Sequence, residues 1–373
     1  MGASVLFVEP FYGGSHRAFL DGLVRHSRHD FTLLTLAEGE WRRRMRRGAQ
    51  ELADQARAIE GDFDLLVVSD LLDLPAFLAL TRPRFASTPV LAYFHENQFT
   101  YPRIKGTKFN SWFGQINYLT ALAANAVAFN SEFHRQDFLG ALRALATQPN
   151  NWLVPESIAS IEAKSFVLPV GVELEWLDEH EFVHDPVKPP LVLWNHRWEF
   201  DKSPELFARV VRRLAGEGVP FELALAGEPG PNPSPVMADL ARDLPERIHH
   251  FGFAAGREEY ARLLWASDIA VSTTRHEFFG VAMVEAMYTG CLPLAPRRFN
   301  FPALVPPELH EACLFDDEDG FTRRFRVLLG DRPAGAPERV RASATRFAWK
   351  YVAPAWDAAL DRLVSHNPLP ERR

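Results

Sequence analysis

Short apolar runs recur along the whole chain, each bounded by turn residues and separated by segments of helical period. The first half contains VLFVEP, FTLLTL, LLVVSD, VLAYFHE, AVAFNS and FVLPV; the second contains LVLWN, ELALAG, IHHFGF, IAVST and CLPLAP. Runs that are apolar throughout, with no alternation, mark strands covered on both faces, as in parallel sheets. Strand alternating with helix predicts an α/β chain of two doubly wound domains facing across a cleft, with ligands at the carboxyl ends of the strands.

The pattern fails near VGVELEWLDEHEFVHDPVKPP, where acidic residues cluster and Pro186, Pro189 and Pro190 rule out a helix. The expected organisation is an N-terminal domain over 1–170, a linker over 171–190, a second domain over 191–347 and a tail over 348–373. In the tail, Trp349, Val352, Trp356, Leu360 and Leu363 fall close to one helical face. A closing helix packed back on the first domain is expected.

A length of 373 residues, above the usual size of one core, agrees with two domains. Hydrophobic residues at 47% and charged ones at 24% exclude a disordered chain. A formal charge of -7 offers no global attraction to nucleic acid, so such a partner must meet a local basic patch. The two cysteines, Cys291 and Cys313, sit among apolar residues and read as small buried hydrophobes, which points to a reducing, cytoplasmic setting. The start MGASVLFVEPFYGG has neither a charged leader region nor a membrane-length apolar run, so no membrane partner is expected.

Four stretches at predicted strand ends carry candidate chemistry. In EPFYGGSH, Gly13 and Gly14 permit a tight turn and a bare backbone approach to an anion at a helix start near Ser15; a plain glycine turn with Ser15 as N-cap fits equally. In WNHRWEFDKSPE, Arg197 and Lys202 can converge on a phosphate, and Trp194 and Trp198 suggest an enclosed setting. In YFHENQ, His95 can bond a sugar hydroxyl or shuttle a proton, or can be satisfied inside its own loop. In RHEFFGVAMVEAM, Glu277 and Glu285 stand eight positions apart with Gly280 between them. Loop, glycine and helix there place Glu277 before the helix and Glu285 about a turn and a half inside it.

At these residues the sequence resembles glycosyltransferase family 4, retaining enzymes of the GT-B fold built from two Rossmann-like domains. EFFGVAMVE matches that family's Glu-x7-Glu motif. The resemblance implies that Glu277 contacts the transferred sugar, Glu285 holds the nucleotide ribose, and Arg197 and Lys202 neutralise the diphosphate. It further implies that Gly13, Gly14, Phe278, Phe279, Gly280 and Val281 line the donor, with His95 near the sugar. EPFYGGSH, YFHENQ, FNSEF and WNHRWEFDK together are similar to the tRNA-queuosine mannosyltransferases. That similarity implies GDP-mannose as donor, queuosine in a tRNA anticodon as acceptor, and Glu96, Asn97, Asn130 and Ser131 on the acceptor side.

No cofactor is expected. The Asp-x-Asp within FDDEDG could suggest manganese, but its place before a helical segment favours an N-terminal cap. No pair of carboxylates at glycosidase geometry is evident, so a front-face displacement, with the leaving phosphate accepting the acceptor's proton, fits retention best. For a tRNA partner the natural patch is WRRRMRR, with Arg42, Arg43, Arg44, Arg46 and Arg47; a solvated helical face fits the same residues. Two other readings stay open: a family 4 enzyme with another nucleotide sugar and a lipid, glycan or small-molecule acceptor, and a nucleotide-sugar binding module without turnover.

Overall fold

The computed structural model describes residues 2–102, 111–149, 151–181, 189–228 and 234–366. They form two compact units, one of Met1–Gly171 with Trp349–Arg373 and the other of Val172–Ala348.

The first unit is built on six strands: β1 (Ser4–Tyr12), β2 (Asp30–Ala37), β3 (Leu65–Ser69), β4 (Val90–Phe94), β5 (Ala126–Phe129) and β6 (Ser165–Val167). They pair in parallel in the order β2-β1-β3-β4-β5-β6. One face of the sheet, with Leu6, Val8, Leu66, Val68, Phe94 and Phe129, joins one continuous apolar cluster. Pairing of β1 with β2 shifts register between Glu9 and Tyr12, where the chain leaves the sheet toward the glycine pair.

The helix Trp349–His366 belongs to this unit and lies along the helix Gly14–His26. Trp349 and Trp356 are fully buried; a Cβ at Gly22 or Gly171 would run into the Trp349 indole, so both positions are held to glycine by packing. Trp356 Nε1 donates to Pro169 O at 3.2 Å, and Asp357 accepts from Ser27 Oγ at 2.5 Å.

The second unit repeats the scheme with β7 (Leu191–Asn195), β8 (Glu222–Ala226), β9 (Ile248–Gly252), β10 (Ile269–Val271), β11 (Leu292–Pro296) and β12 (Leu314–Phe315). The order is β12-β11-β10-β7-β8-β9, all parallel. Two differences from the sequence reading stand out. The two-residue β12 is too short to register as an apolar run. The start of the expected linker is a 3-10 turn, Glu175–His180, fastened to the second unit by Trp265 Nε1 donating to Leu177 O at 2.7 Å and Tyr288 OH donating to Asp178 at 2.8 Å. The prolines expected to forbid a helix lie downstream of that turn, and Pro186 lies outside the described residues. Both cysteines are free and buried.

Candidate active site

Each unit gathers polar side chains at the carboxyl ends of its central strands. In the second unit the loop after β7 carries Arg197 and Lys202, and the loop after β10 ties it down. Thr273 Oγ1 donates to Lys202 O at 2.9 Å and to Ser203 O at 3.1 Å, Thr274 Oγ1 to Asp201 O at 3.1 Å, and the Arg275 amide to Asp201 O at 2.7 Å. Ser203 takes a left-handed backbone at φ 52° as the helix Pro204–Gly216 begins. These bonds bring Lys202 Nζ to 3.6 Å from Glu277 Oε2 and 3.4 Å from Asp201 Oδ2. Burial would lower the Lys202 pKa, but Glu277 and Asp201 hold it above the usual lysine value, so it stays a cation.

Gly280, at φ 99°, closes the loop and starts the helix Val281–Tyr288, a backbone only glycine adopts without strain. Glu285, inside that helix, accepts from Tyr260 OH at 2.8 Å, and Asn195 Nδ2 donates to the same hydroxyl at 3.0 Å. Burial pushes the Glu285 carboxyl up to about 7 even though the Tyr260 bond favours its charged form. Nearby, His196 falls to about 3 and His276 to about 4, each through burial first and the Lys202 charge second. An enclosed ammonium, a carboxylate in contact with it and two neutral imidazoles are a setting for a strongly anionic ligand with hydroxyl groups.

The structure divides the expected donor set. Lys202 is enclosed, whereas the Arg197 side chain is 58% exposed and pairs with Glu199 at 3.5 Å; the enclosure read from Trp194 and Trp198 applies to the tryptophans themselves. Phe278 and Phe279 are buried, with Phe279 edge-on to Phe347 at 5.2 Å, so their rings pack the core and the stretch offers a ligand its main chain.

In the first unit Glu9, at the end of β1's regular pairing, is buried with both oxygens engaged. Oε1 accepts from the Phe11 amide at 2.8 Å and from Ser69 Oγ at 3.1 Å; Oε2 lies 3.2 Å from His16 Nδ1. The His16 and His95 rings meet at a tilt of 39° with centroids 4.2 Å apart. Burial would lower the His16 pKa, but the Glu9 carboxylate overrides it and raises it to about 9, while burial and the His16 charge drive His95 well below the ordinary histidine value. The His95 backbone is clamped on both sides: its amide donates to Asp70 Oδ1 at 2.8 Å and its carbonyl accepts from Asn130 Nδ2 at 2.9 Å. Its Nε2 is buried with no hydrogen-bond partner among the described residues.

The glycine pair behaves differently from its sequence reading. The helix starts at Gly14, with Gly13 as N-cap in place of Ser15; a Cβ on Gly13 would meet Glu38, and only Gly14, at φ 50°, needs glycine's backbone freedom. The acceptor-side residues are largely occupied within the fold. Asn97 Oδ1 accepts from the Phe99 and Thr100 amides at 3.1 and 3.2 Å, Asn130 bridges His95 and His134, and Ser131 caps the helix Glu132–Ala146. These buried polar atoms satisfy local backbone, which motif reading could not foresee. Glu96, half-buried, accepts from Gln98 at 2.8 Å.

Residues 4–172 match the family described as tRNA-queuosine alpha-mannosyltransferase N-terminal, and residues 189–331 match Glycosyl transferases group 1. A tRNA-queuosine alpha-mannosyltransferase of Drosophila melanogaster is 33% identical over 329 residues, covering 86% of this chain and 85% of the relative. The chain belongs to the tRNA-queuosine alpha-mannosyltransferase family. It is a glycosyltransferase of the GT-B fold. A GDP-mannose-dependent alpha-(1-6)-phosphatidylinositol dimannoside mannosyltransferase of Mycobacterium tuberculosis is 24% identical, covering 81% of this chain and 74% of the relative. Among solved structures, a sucrose-phosphate synthase of Thermosynechococcus elongatus aligns at TM-score 0.72 and 16% identity over 98% of this chain and all of that one. A glycosyltransferase of Rickettsia africae aligns at 0.67 and 13% over 97% and 99%.

In this member of the queuosine alpha-mannosyltransferase family the arginine-rich segment forms the start of the helix Trp41–Ala56, capped by Glu40, which accepts from the Arg42 and Arg43 amides. Arg42, Arg43, Arg46 and Arg47 are exposed; Arg44 instead turns inward, donating to Ala37 O at 2.7 Å and pairing with Glu51 at 3.5 Å. Arg42 lies over the Trp41 ring at 4.4 Å, and Arg46 approaches Phe113 at 5.3 Å and the exposed Trp112 at 5.9 Å. Trp112 and Phe113 come from the helix Ser111–Ala123 and were invisible to a local reading of WRRRMRR. Glu9, His16 and Asp70 were missed likewise, although Glu9 and His16 stand inside the EPFYGGSH stretch. Asp317 caps the helix Glu318–Gly330, accepting from the Gly320 amide at 2.6 Å. Among the described residues no helix is long and apolar enough to cross a membrane.

Proposed function

We propose that the protein transfers mannose from GDP-mannose onto queuosine in a tRNA anticodon, with retention of configuration. The observation that carries this reading is the family match over both units, joined to a Glu-x7-Glu segment whose first carboxylate touches an enclosed lysine. Lys202 and, from the exposed side, Arg197 are the cations for the donor diphosphate and for the charge that grows on it as the glycosidic bond breaks. Glu277 binds sugar hydroxyls, and its contact with Lys202 opens when phosphate takes the ammonium. Glu285, held by Tyr260, accepts from the ribose hydroxyls. His95, with a fixed backbone and an uncommitted Nε2, positions a hydroxyl of the transferred sugar. The leaving phosphate oxygen takes the acceptor's proton, so no protein nucleophile is assigned and no metal is required by the scheme.

The exposed arginines beside Trp41 and Trp112 suit tRNA, since cations neutralise phosphate and indole faces stack on bases. The test is incubation with GDP-mannose and queuosine-containing tRNA, followed by mass spectrometry of the nucleosides. A gain of one hexose on queuosine is expected. Transfer only to another acceptor, or from another nucleotide sugar, would overturn this reading while keeping the glycosyltransferase; the relative named as a phosphatidylinositol dimannoside mannosyltransferase makes a lipid acceptor the first alternative to assay.

A further inference from the structure

We propose that His16, clamped by Glu9, is a positioning residue that keeps His95 a neutral imidazole with its Nε2 uncommitted. Three carboxylates act on the His16 ring, Glu9 first and by contact, with Asp70 and Glu96 beyond it. Among the described residues Glu9 is the carboxylate in contact with a ring of this cluster, its Oε2 lying 3.2 Å from His16 Nδ1 while Oε1 accepts from the Phe11 amide and Ser69. His16 rises from the first turn of the helix Gly14–His26 and sets its ring against His95 at a tilt of 39°, centroids 4.2 Å apart. A second positive imidazole at that distance would face a like charge across a direct ring contact in a poorly solvated site.

Among the described residues, the other elements around His95 direct their polar groups elsewhere or bring apolar rings. From the helix Gly14–His26, Phe19 presents its ring at 4.8 Å; from β4, Tyr93 stands edge-on at 4.7 Å with its hydroxyl donated away to Leu168 O. Asp70, after β3, gives Oδ1 to the His95 amide rather than to its ring, and burial together with Glu96 raises its own pKa well above the carboxylate range. Glu96, after β4, accepts from Gln98. His134, from the helix Glu132–Ala146, engages Asn130 through Nδ1 at 3.0 Å and adds repulsion to a protonated His95. His16 is thus the charged ring in contact with His95, and His95 is left as a neutral group able to donate or accept one hydrogen bond to a hydroxyl.

The use of that hydrogen bond on a sugar rests on the mannosyl-transfer reading; the protonation pattern does not. Histidine-selective 13C and 15N labelling with NMR from about pH 5 to about pH 9 reads the two rings directly, without substrate. His16 is expected to titrate well above the ordinary histidine range and His95 to stay neutral throughout. In His16→Gln the His95 titration is expected to rise by about one unit or more. In His16→Lys, which keeps a cation opposite Glu9, it is expected to stay low. The matching activity readout is the acid limb of the kcat/KM profile, displaced upward in His16→Gln and restored in His16→Lys. A His95 that titrates near its ordinary value in the wild type, or one unmoved by His16→Gln in a protein whose melting temperature is preserved, overturns the proposal. So does stoichiometric zinc binding that broadens both ring signals, which would make the cluster a metal site. Failure of transfer with the expected NMR pattern would instead count against the reaction.

Discussion

The two strand-end clusters use the same electrostatic device with different titrating groups. In each, one enclosed cation is held by carboxylates beside an imidazole that is kept neutral: His16 with Glu9 beside His95, and Lys202 with Glu277 and Asp201 beside His196. In the second unit the cation is a lysine held above its ordinary value and stays charged over any working pH. In the first it is a histidine with a pKa of about 9, so its charge fades in mildly alkaline solution. The second cluster is suited to a permanent anion such as a diphosphate, the first to hydroxyl groups and to modulation by pH.

The sharpest way to break this contrast is to remove the second cluster's charges. Glu277→Ala and Lys202→Ala are each expected to lower kcat for mannosyl transfer by about 10² to 10³ fold, the usual loss for a group acting on developing charge, and Lys202→Ala also to lower melting temperature because buried Asp201 loses its cation. Removing the neutral ring of the first cluster should cost less. His95→Ala is expected to lower kcat/KM by about tenfold to a hundredfold, the worth of one or two good hydrogen bonds, measured in the same steady-state assay.

The arginine surface lies outside both clusters and should act on one substrate alone. Replacing Arg42 and Arg46 together by Ala is expected to raise the KM for tRNA by about tenfold and flatten its salt dependence by about two phosphate contacts, leaving the KM for GDP-mannose unchanged. A change in donor KM would sink the assignment of these residues to tRNA.

Smaller effects come from the titrating carboxyl. With Glu285 at about 7, its charged form is half present at neutrality and rises about tenfold from pH 6 to pH 8, so donor KM is expected to fall by up to about tenfold over that range, and Glu285→Gln should abolish that trend. Stability gives the smallest signal. The folded-state pKa of His16 exceeds its unfolded value, so its contribution is complete below about 6.5 and is lost as pH rises toward 9; melting temperature should decline over that window more in the wild type than in His16→Gln.

What was legible in the sequence was what depends on local pattern. Apolar runs bounded by turns marked the principal strands, and the face shared by Trp349, Val352, Trp356 and Leu360 marked the closing helix, because burial imposes a period on the chain. Glu277, Gly280 and Glu285 were legible because a left-handed turn before a helix ties residue type to spacing. Tertiary structure alone decided which polar groups meet. Lys202 and Glu277 are 75 positions apart and meet where Thr273, Thr274 and Arg275 bond the carbonyls of Asp201, Lys202 and Ser203. Glu9, His16 and His95 come from a strand, a helix and a second strand end, and Trp112 reaches Arg46 from another helix. Asn97, Asn130 and Ser131 carry hydrogen bonds within the fold, to the Phe99 and Thr100 amides and Asp137, to His95 and His134, and to the His134 amide, which residue type and motif did not reveal. Side-chain chemistry is written residue by residue, but burial, partnership and charge state belong to the neighbourhood, which parallel crossovers assemble from distant parts of the chain.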